Sequence, residues 1–302
     1  MLKLGIIGAG TVGTALAVRL SRKGYPVVAV HSRTRTSAQR LAEAVGGAQV
    51  FDDSQGVADA ADLVFITTPD GAIASVVSQT NWHPEQSVVH CSGADSTLIL
   101  EPAQKMGAQV GGFHPLQTFA SLKQAIDTMP GSTFAIEAEE PLLSTLKQMA
   151  TALDCNWIRL EADDKAAYHA SAVMACNYLV TLVKLAADLW RAFGIPQEQA
   201  TKALLPLIKG TINNIETLGI PKCLTGPSAR GDIGTINKHL NTLRETAPEL
   251  VSTYCELGLK TIPIALAKGR LGAEVAQEIE AVLEQQKSIA EGEVDYAHHV
   301  KK

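Results

Sequence analysis

Leu4-Gly5-Ile6-Ile7-Gly8-Ala9-Gly10-Thr11-Val12-Gly13 is the stretch that decides the fold of this chain. The residues from Leu2 to Ile7 form an apolar run too short for a helix and read as a strand buried on both faces. Three glycines at positions 8, 10 and 13 follow at once. Thr14–Lys23 then reads as a helix, closed by Gly24 and Tyr25-Pro26. A glycine-rich turn between a strand and a helix, at the start of a βαβ unit, is specific in a way that the same glycines elsewhere are not.

The rest of the first half repeats that rhythm. Val27–Val30, Ala48–Phe51, Asp62–Thr67, Ser87–His90, Val110–Phe113 and Thr133–Ile136 read as strands, and Ser37–Val45 as a helix stopped by Gly46-Gly47. Strands separated by helical stretches predict βαβ units, hence a parallel sheet with helices on both faces. Near residue 160 the texture changes. Ala162–Phe193, Gln197–Thr217, Asn237–Thr246, Pro248–Ala267 and Ala273–Ala290 all read as helix. The expectation is an α/β protein: a doubly wound sheet in residues 1–160, then an all-helical domain in 161–302, with no flexible linker between them.

Composition narrows the function. The 302 residues are 46% hydrophobic and 19% charged, with net charge −5, so bulk nucleic-acid binding, which needs a basic surface, is not expected. Cys91, Cys155, Cys176, Cys223 and Cys255 are odd in number and scattered, with no metal-ligand spacing, which suits a reducing cytoplasm and no metal. Leu4–Ile7 is too short for the apolar core of a signal peptide. The longest apolar candidate, Ala170–Val183, falls short of a membrane span, so no membrane is expected.

The turn itself predicts a dinucleotide. Gly8 permits the tight turn, Gly10 lets the main chain approach a pyrophosphate, and Gly13 lets helix and strand pack closely. Ala9, Thr11 and Val12 complete the loop, whose N–H groups and helix dipole favour phosphate. The end of the second strand selects the form of the cofactor. It reads His31-Ser32-Arg33-Thr34-Arg35, with no carboxylate to accept from a ribose 2′-hydroxyl. Ser32, Arg33 and Arg35 suit a 2′-phosphate, so NADP is expected over NAD. As plain surface charges these arginines would merely start a helix. Thr67, Thr68 and Pro69 end another strand, where ligands of such sheets lie.

Hydride transfer to a carbonyl needs a proton donor. His114, in Gly-Gly-Phe-His-Pro-Leu-Gln just after a strand, is one candidate, though it could equally bond its own turn. His169 is the first choice. It lies with Lys165, Val173 and Asn177 at four-residue spacing, near one face of a helix. A His and an Asn in an apolar stretch need partners if buried, and backbone groups could supply them. Ser92 follows the strand ending at His90, and Arg230, in Leu-Thr-Gly-Pro-Ser-Ala-Arg-Gly-Asp, could clamp a carboxylate unless it pairs with Asp232. Cys91 reads as a small buried hydrophobe.

GAGTVG, TTPD, HCSGA, GFHPLQTF, DDKAAYHASAVMACNYLV and LTGPSARGD occur in that order over nearly the whole chain. Together they resemble the Rossmann-like plus DUF2520 family, a branch of the 6-phosphogluconate-dehydrogenase-like superfamily. Relatives there include pyrroline-5-carboxylate reductase, ketopantoate reductase, β-hydroxyacid dehydrogenases and F420-dependent NADP reductases. The resemblance implies an NADP-binding domain, a helical substrate and dimerisation domain, and a homodimer. Many β-hydroxyacid members place an Asn four residues after a catalytic Lys; here His169 stands at that spacing from Lys165, and Asn177 comes later. The expected activity is reduction, by NADPH, of a small oxo or imino acid, in a cleft made by Ser92, His114, His169, Asn177 and Arg230. The alternatives are a nicotinamide-binding sensor without turnover and an F420-linked NADP oxidoreductase.

Overall fold

The structure is a computed structural model that describes residues 2–300, with side chains through Gly292. Two compact units divide it, Met1–Tyr178 and Leu179–Lys302.

The first unit begins with β1 (Leu4–Ile7), α1 (Thr11–Arg22), β2 (Val27–His31), α2 (Arg35–Ala44), β3 (Gln49–Val50), α3 (Ser54–Ala60) and β4 (Leu63–Ile66). It continues through α4 (Asp70–Ser78), β5 (Ser87–His90), α5 (Glu101–Lys105), β6 (Gln109–Leu116), α6 (Leu122–Thr128), β7 (Thr133–Ala138), α7 (Leu142–Ala152), β8 (Asn156–Arg159) and α8 (Lys165–Ala175). The strands form one sheet in the order β3-β2-β1-β4-β5-β6-β7-β8. The chain leaves the β3 edge and re-enters beside β1, so β1 and β4 flank the point where the strand order reverses. Ligands of open α/β sheets bind outside the carboxyl ends of strands at that point.

Alternation along β1 explains the two-layered core. Leu4 and Ile6 join Leu16, Leu20, Phe65, Phe113, Phe134 and Leu146 on one face. Ile7 joins Val57, Val64, Ile66, Ile73 and Val88 on the other. Phe113 stacks on Phe134 at 4.1 Å between ring centres and lies 5.9 Å from Phe65, so aromatic packing links β4, β6 and β7 across one face.

Three expectations change. The sheet is not wholly parallel: β7 runs antiparallel to β6, an arrangement that needs no long crossover. β8, which the sequence did not reveal, lies parallel to β7 at the sheet edge. All four of its residues are exposed, so it carries no burial signal. The expected single helix Ala162–Phe193 is broken. A 3-10 turn at Ala162–Asp164 leads into α8, Cys176 interrupts it, α9 (Asn177–Asp188) follows, and a second 3-10 turn ends it at Leu189–Phe193. No proline or glycine lies at the break. It lies two residues before Tyr178, the last residue of the first unit.

The second unit contains most of α9, then α10 (Gln197–Leu218), α11 (Pro227–Arg230), α12 (Ile233–Thr246), α13 (Val251–Ala267) and α14 (Ala273–Val300). Its core gathers Ile236, Leu240, Val251, Cys255, Ile279 and Leu283. By contrast, α9 and α10 bury one residue each, Ala187 and Ala200. The stretches Ala162–Phe193 and Pro248–Ala267 are long and apolar enough to cross a membrane by length and composition alone, and the charge-free run in the first begins at Ala166.

Candidate active site

Helix α1 starts three residues earlier than its sequence suggests, at Thr11, with Gly10 as its N-cap. The N–H groups of Thr11, Val12 and Gly13 therefore lie in its open first turn. Gly8 takes φ +109°, a conformation that side chains disfavour, and a Cβ there would also strike the Thr67 main chain at 2.7 Å. At Gly13 a Cβ would stand 2.2 Å from Thr67 Oγ1 and 2.3 Å from the Gly8 carbonyl. Thr67 Oγ1 itself donates to that carbonyl at 2.6 Å, locking the turn to the end of β4. Above Gly10 nothing stands within 4 Å of where a Cβ would be. The turn is rigid below and open above, the form a phosphate cradle needs.

A cavity of about 340 Å³ opens there, lined by Gly8, Ala9, Gly10, Ser32, Arg33, Thr34, Ser37, Thr67, Thr68 and Pro69 among others. Thr68 Oγ1 is buried without a hydrogen-bond partner. Thr11 lines a neighbouring groove between α1, α2 and α6 together with Arg22 and Arg40. Arg40 Nη2 donates to Ser37 Oγ at 3.3 Å. Arg35, expected beside Ser32 and Arg33, instead pairs with the Asp52 carboxylate after β3 and does not line the cavity. A glycine turn, an open helix N-terminus, an orphaned hydroxyl and an arginine at the end of β2 together fit a phosphorylated dinucleotide.

A second constellation stands at the carboxyl ends of β5 and β6. β6 overhangs β5: His90, the last residue of β5, is in register with Gly112, and His114 lies beyond it. Gly93, just past β5, makes room for two imidazoles. A Cβ on it would meet His169 Cδ2 at 2.6 Å and His114 Nε2 at 2.9 Å. The rings of His114 and His169 lie 6.3 Å apart, edge to face. His114 Nδ1 is 2.7 Å from the Tyr168 hydroxyl. With the phenol donating, the ring proton stands on Nε2, the nitrogen that faces Gly93. Burial first, then Lys165 and His169, push the His114 pKa down to about 4, so the ring is neutral at pH 7. Burial raises Tyr168 to about 12 and keeps its proton in place.

Lys165 is 2% exposed and donates to the Ser92 carbonyl at 2.9 Å. Burial lowers its pKa, opposed by Glu137, Cys91, Asp95 and Asp70. Ser92 contributes through that carbonyl; its hydroxyl donates to Asp95 Oδ2 at 3.0 Å and accepts from the Asp95 N–H at 3.0 Å. Burial raises the Cys91 thiol to about 12, too high for a nucleophile at neutral pH.

Among the residues expected at the site, Ser92, His114, Lys165 and His169 come together in the first unit. Asn177 lies beyond the Cys176 break, exposed, at the start of α9. Arg230 ends α11 in the second unit, exposed and in no ion pair among the described residues. Asp232 instead caps α12, accepting from the Thr235 N–H at 3.0 Å and its hydroxyl at 2.7 Å. Tyr168 and Glu137 were missed, and His90 was read only as part of the segment at the end of β5. Tyr168 precedes His169 and needed the fold to bring it to His114; Glu137 lies one residue beyond the run Thr133–Ile136 that reads as a strand. Among the described residues no group of three or more His, Cys, Asp or Glu is placed to hold a metal ion.

Comparison with known proteins agrees with this architecture. Residues 1–115 match the model of a Rossmann-like domain, and residues 132–261 match the domain of unknown function DUF2520. The chain carries a Rossmann-like domain and a DUF2520 domain. No curated protein matches it in sequence. Among solved structures it is similar to a Bacteroides fragilis protein named "putative NADP oxidoreductase BF3122". That match has 29% identity and TM-score 0.68, covering 86% of this chain and 97% of that one. Protein TM1727 of Thermotoga maritima matches at 24% identity and TM-score 0.64, covering 94% and 98%. The 1-pyrroline-5-carboxylate reductase of Streptococcus pyogenes shares the fold at 16% identity and TM-score 0.58, covering 95% and 98%.

Proposed function

We propose that this Rossmann-like and DUF2520 protein is an NADP-dependent reductase of a small oxo acid or imino acid. The observation that carries the reading is the placement of two sites on one sheet. The glycine turn and the Ser32–Arg33 corner lie at the ends of β1 and β2. The Lys165, His114 and His169 cluster lies at the ends of β5 and β6. The likeness to the Bacteroides protein supports the same cofactor.

Gly8–Gly13 would hold the pyrophosphate, with Ser32 and Arg33 at the 2′-phosphate and Thr67, Thr68 and Pro69 along the adenosine side. Arg35 is the weaker partner because Asp52 already engages it. NADPH, when bound, supplies a hydride. His169 gives the proton to the developing alkoxide or amine. His114, neutral and backed by Tyr168, offers Nε2–H as a hydrogen bond to the same atom. Lys165 contributes positive charge beside it.

Asn177, in the same unit as that cluster, is assigned to a polar contact with the substrate. The exposed apolar side chains Leu205, Leu207, Ile212, Ile215 and Leu218 on α10 are the surface we assign to a second copy of the chain, giving a homodimer. The five free thiols suit a reducing, cytoplasmic setting.

The test is oxidation of NADPH, with NADH beside it, against small 2-oxo acids and cyclic imino acids. NADPH-preferring turnover of one compound is expected. Absence of binding of either nucleotide would overturn the reading.

A further inference from the structure

Two buried side chains outside that mechanism flank Gly112 of β6. Across β5, β6 and β7, His90 is in register with Gly112, and Gly112 with Glu137. Residues in register project to the same face of a sheet. Gly112 has no side chain, and a Cβ there would stand 3.5 Å from Nε2 and Cε1 of His90 and 3.6 Å from Cβ of Glu137. The imidazole and the carboxylate therefore flank the glycine, at 0% and 7% exposure.

Each holds one end of the loop that follows β5. His90 Nδ1 accepts from the Ser92 N–H at 3.1 Å. Glu137 Oε1 accepts from the Thr97 N–H at 2.9 Å and from its hydroxyl at 2.7 Å. Between those ends the loop carries the Ser92 carbonyl that receives Lys165 and the Gly93 against which His114 and His169 pack. Glu137 Oε2 is buried and makes no hydrogen bond. His90 Nε2 makes none of normal geometry either, although the Ser96 main chain lies close enough to favour the charged ring.

A buried carboxylate needs a compensating charge. Lys165 is itself buried and in no ion pair within 4.0 Å among the described residues. The groups that face it are Glu137 from β7, Cys91 and Asp95 from the loop region after β5, Asp70 from α4, and the imidazoles of His90 and His114 from β5 and β6. Of the three carboxylates among these groups, Glu137 is the buried one, and its Oε2 has no hydrogen-bond partner. Burial and Lys165 together hold His90 at about 3, so His90 is neutral and adds no charge of its own.

We propose that His90 and Glu137 are a pair of positioning residues. They clamp the 92–97 loop at both ends, and Glu137 supplies the buried negative charge that balances the Lys165 ammonium and fixes it on the Ser92 carbonyl. The turnover part of the test rests on the reductase reading; the labelling part does not.

Glu137→Gln keeps an oxygen for Thr97 and removes the charge. Competitive acetylation of the whole protein across pH, read by mass spectrometry at Lys165, should show its titration midpoint falling by about one pH unit. The alkaline limb of kcat should move down by the same amount. Glu137→Asp keeps the charge and shortens the reach to Thr97, so turnover should fall while the midpoint stays near that of the wild type. Thr97→Val should likewise lower turnover several-fold without moving the midpoint. An unmoved midpoint in E137Q overturns the proposal. So does a midpoint in E137D that falls by a full unit, which keeps the test decisive if E137Q does not fold. A protein that turns over no substrate still reports the Lys165 midpoint, so failure of the reductase reading is seen separately.

Discussion

The two units use apolar residues in different ways. In the sheet unit every strand from β1 to β7 except the two-residue β3 has buried residues, and its own helices cover both faces. In the helical unit α12, α13 and α14 enclose a core, whereas α9 and α10 expose apolar side chains that their own chain does not cover. The difference teaches that one sequence can enclose the apolar residues of one unit and leave an apolar face open on another, the face proposed above for a second copy. The proposed proton-transfer site sits in the first unit, where β6 holds His114 and α8 holds Lys165 and His169, and such a site needs rigid elements.

The largest expected effect breaks the chemistry of the sheet unit alone. H169A should lower kcat by about 100-fold or more, the range for loss of a general acid, with NADPH affinity nearly unchanged. Steady-state kinetics beside fluorescence titration of NADPH checks it, and unaltered turnover would remove His169 from the mechanism. Gly13→Ala follows, because its Cβ would enter the space of Thr67 Oγ1 and the Gly8 carbonyl. Overpacking costs about 1–3 kcal/mol, so the melting temperature should fall and nucleotide binding with it.

Replacing Arg33 sharpens the cofactor assignment. R33A should weaken NADPH by about 1.5–3 kcal/mol, the worth of a charged hydrogen bond, and leave NADH nearly untouched. R35A should do less, since its guanidinium is held by Asp52. In the helical unit, Leu207→Asp with Ile212→Asp should shift sedimentation from dimer to monomer at micromolar concentration while nucleotide binding in the sheet unit persists. A wild-type monomer at that concentration would dissolve the contrast between the units.

The last prediction is a slope in stability. The buried His90 and the half-buried His114 have folded pKa values below the ordinary 6.5, at about 3 and about 4. The unfolded chain therefore binds more protons as pH drops below 6.5. Their contribution to stability is complete above that pH and is lost progressively toward pH 4, at no more than about 1.4 kcal/mol per pH unit for each ring. Denaturant titrations at pH 7.5, 6 and 5 should show it, and H114N should reduce the slope.

Much of the sheet unit was legible because its signals are local. GAGTVG between a strand and a helix is a covalent neighbourhood, and β1, β2, β4 and β5 are continuous apolar runs. β8 was not legible, because an exposed edge strand has neither a buried run nor alternation. The early start of α1 was hidden by Gly13, a poor helix residue that the close approach of Thr67 requires. His114 and His169 could be suspected singly from their positions after a strand and on an apolar helix. Their meeting over Gly93 could not be read.

By itself, then, the sequence determined the strand-turn-helix, the class of ligand that its glycines admit, and the missing carboxylate at the end of β2. These depend on neighbours within a few residues. Only the tertiary structure decided that Arg35 turns to Asp52, that His114 and His169 meet over Gly93, and that His90 and Glu137 flank Gly112. Each of those depends on residues far apart in the chain, or on strand register. Charge balance and packing in a buried space are settled only when distant segments compete for it.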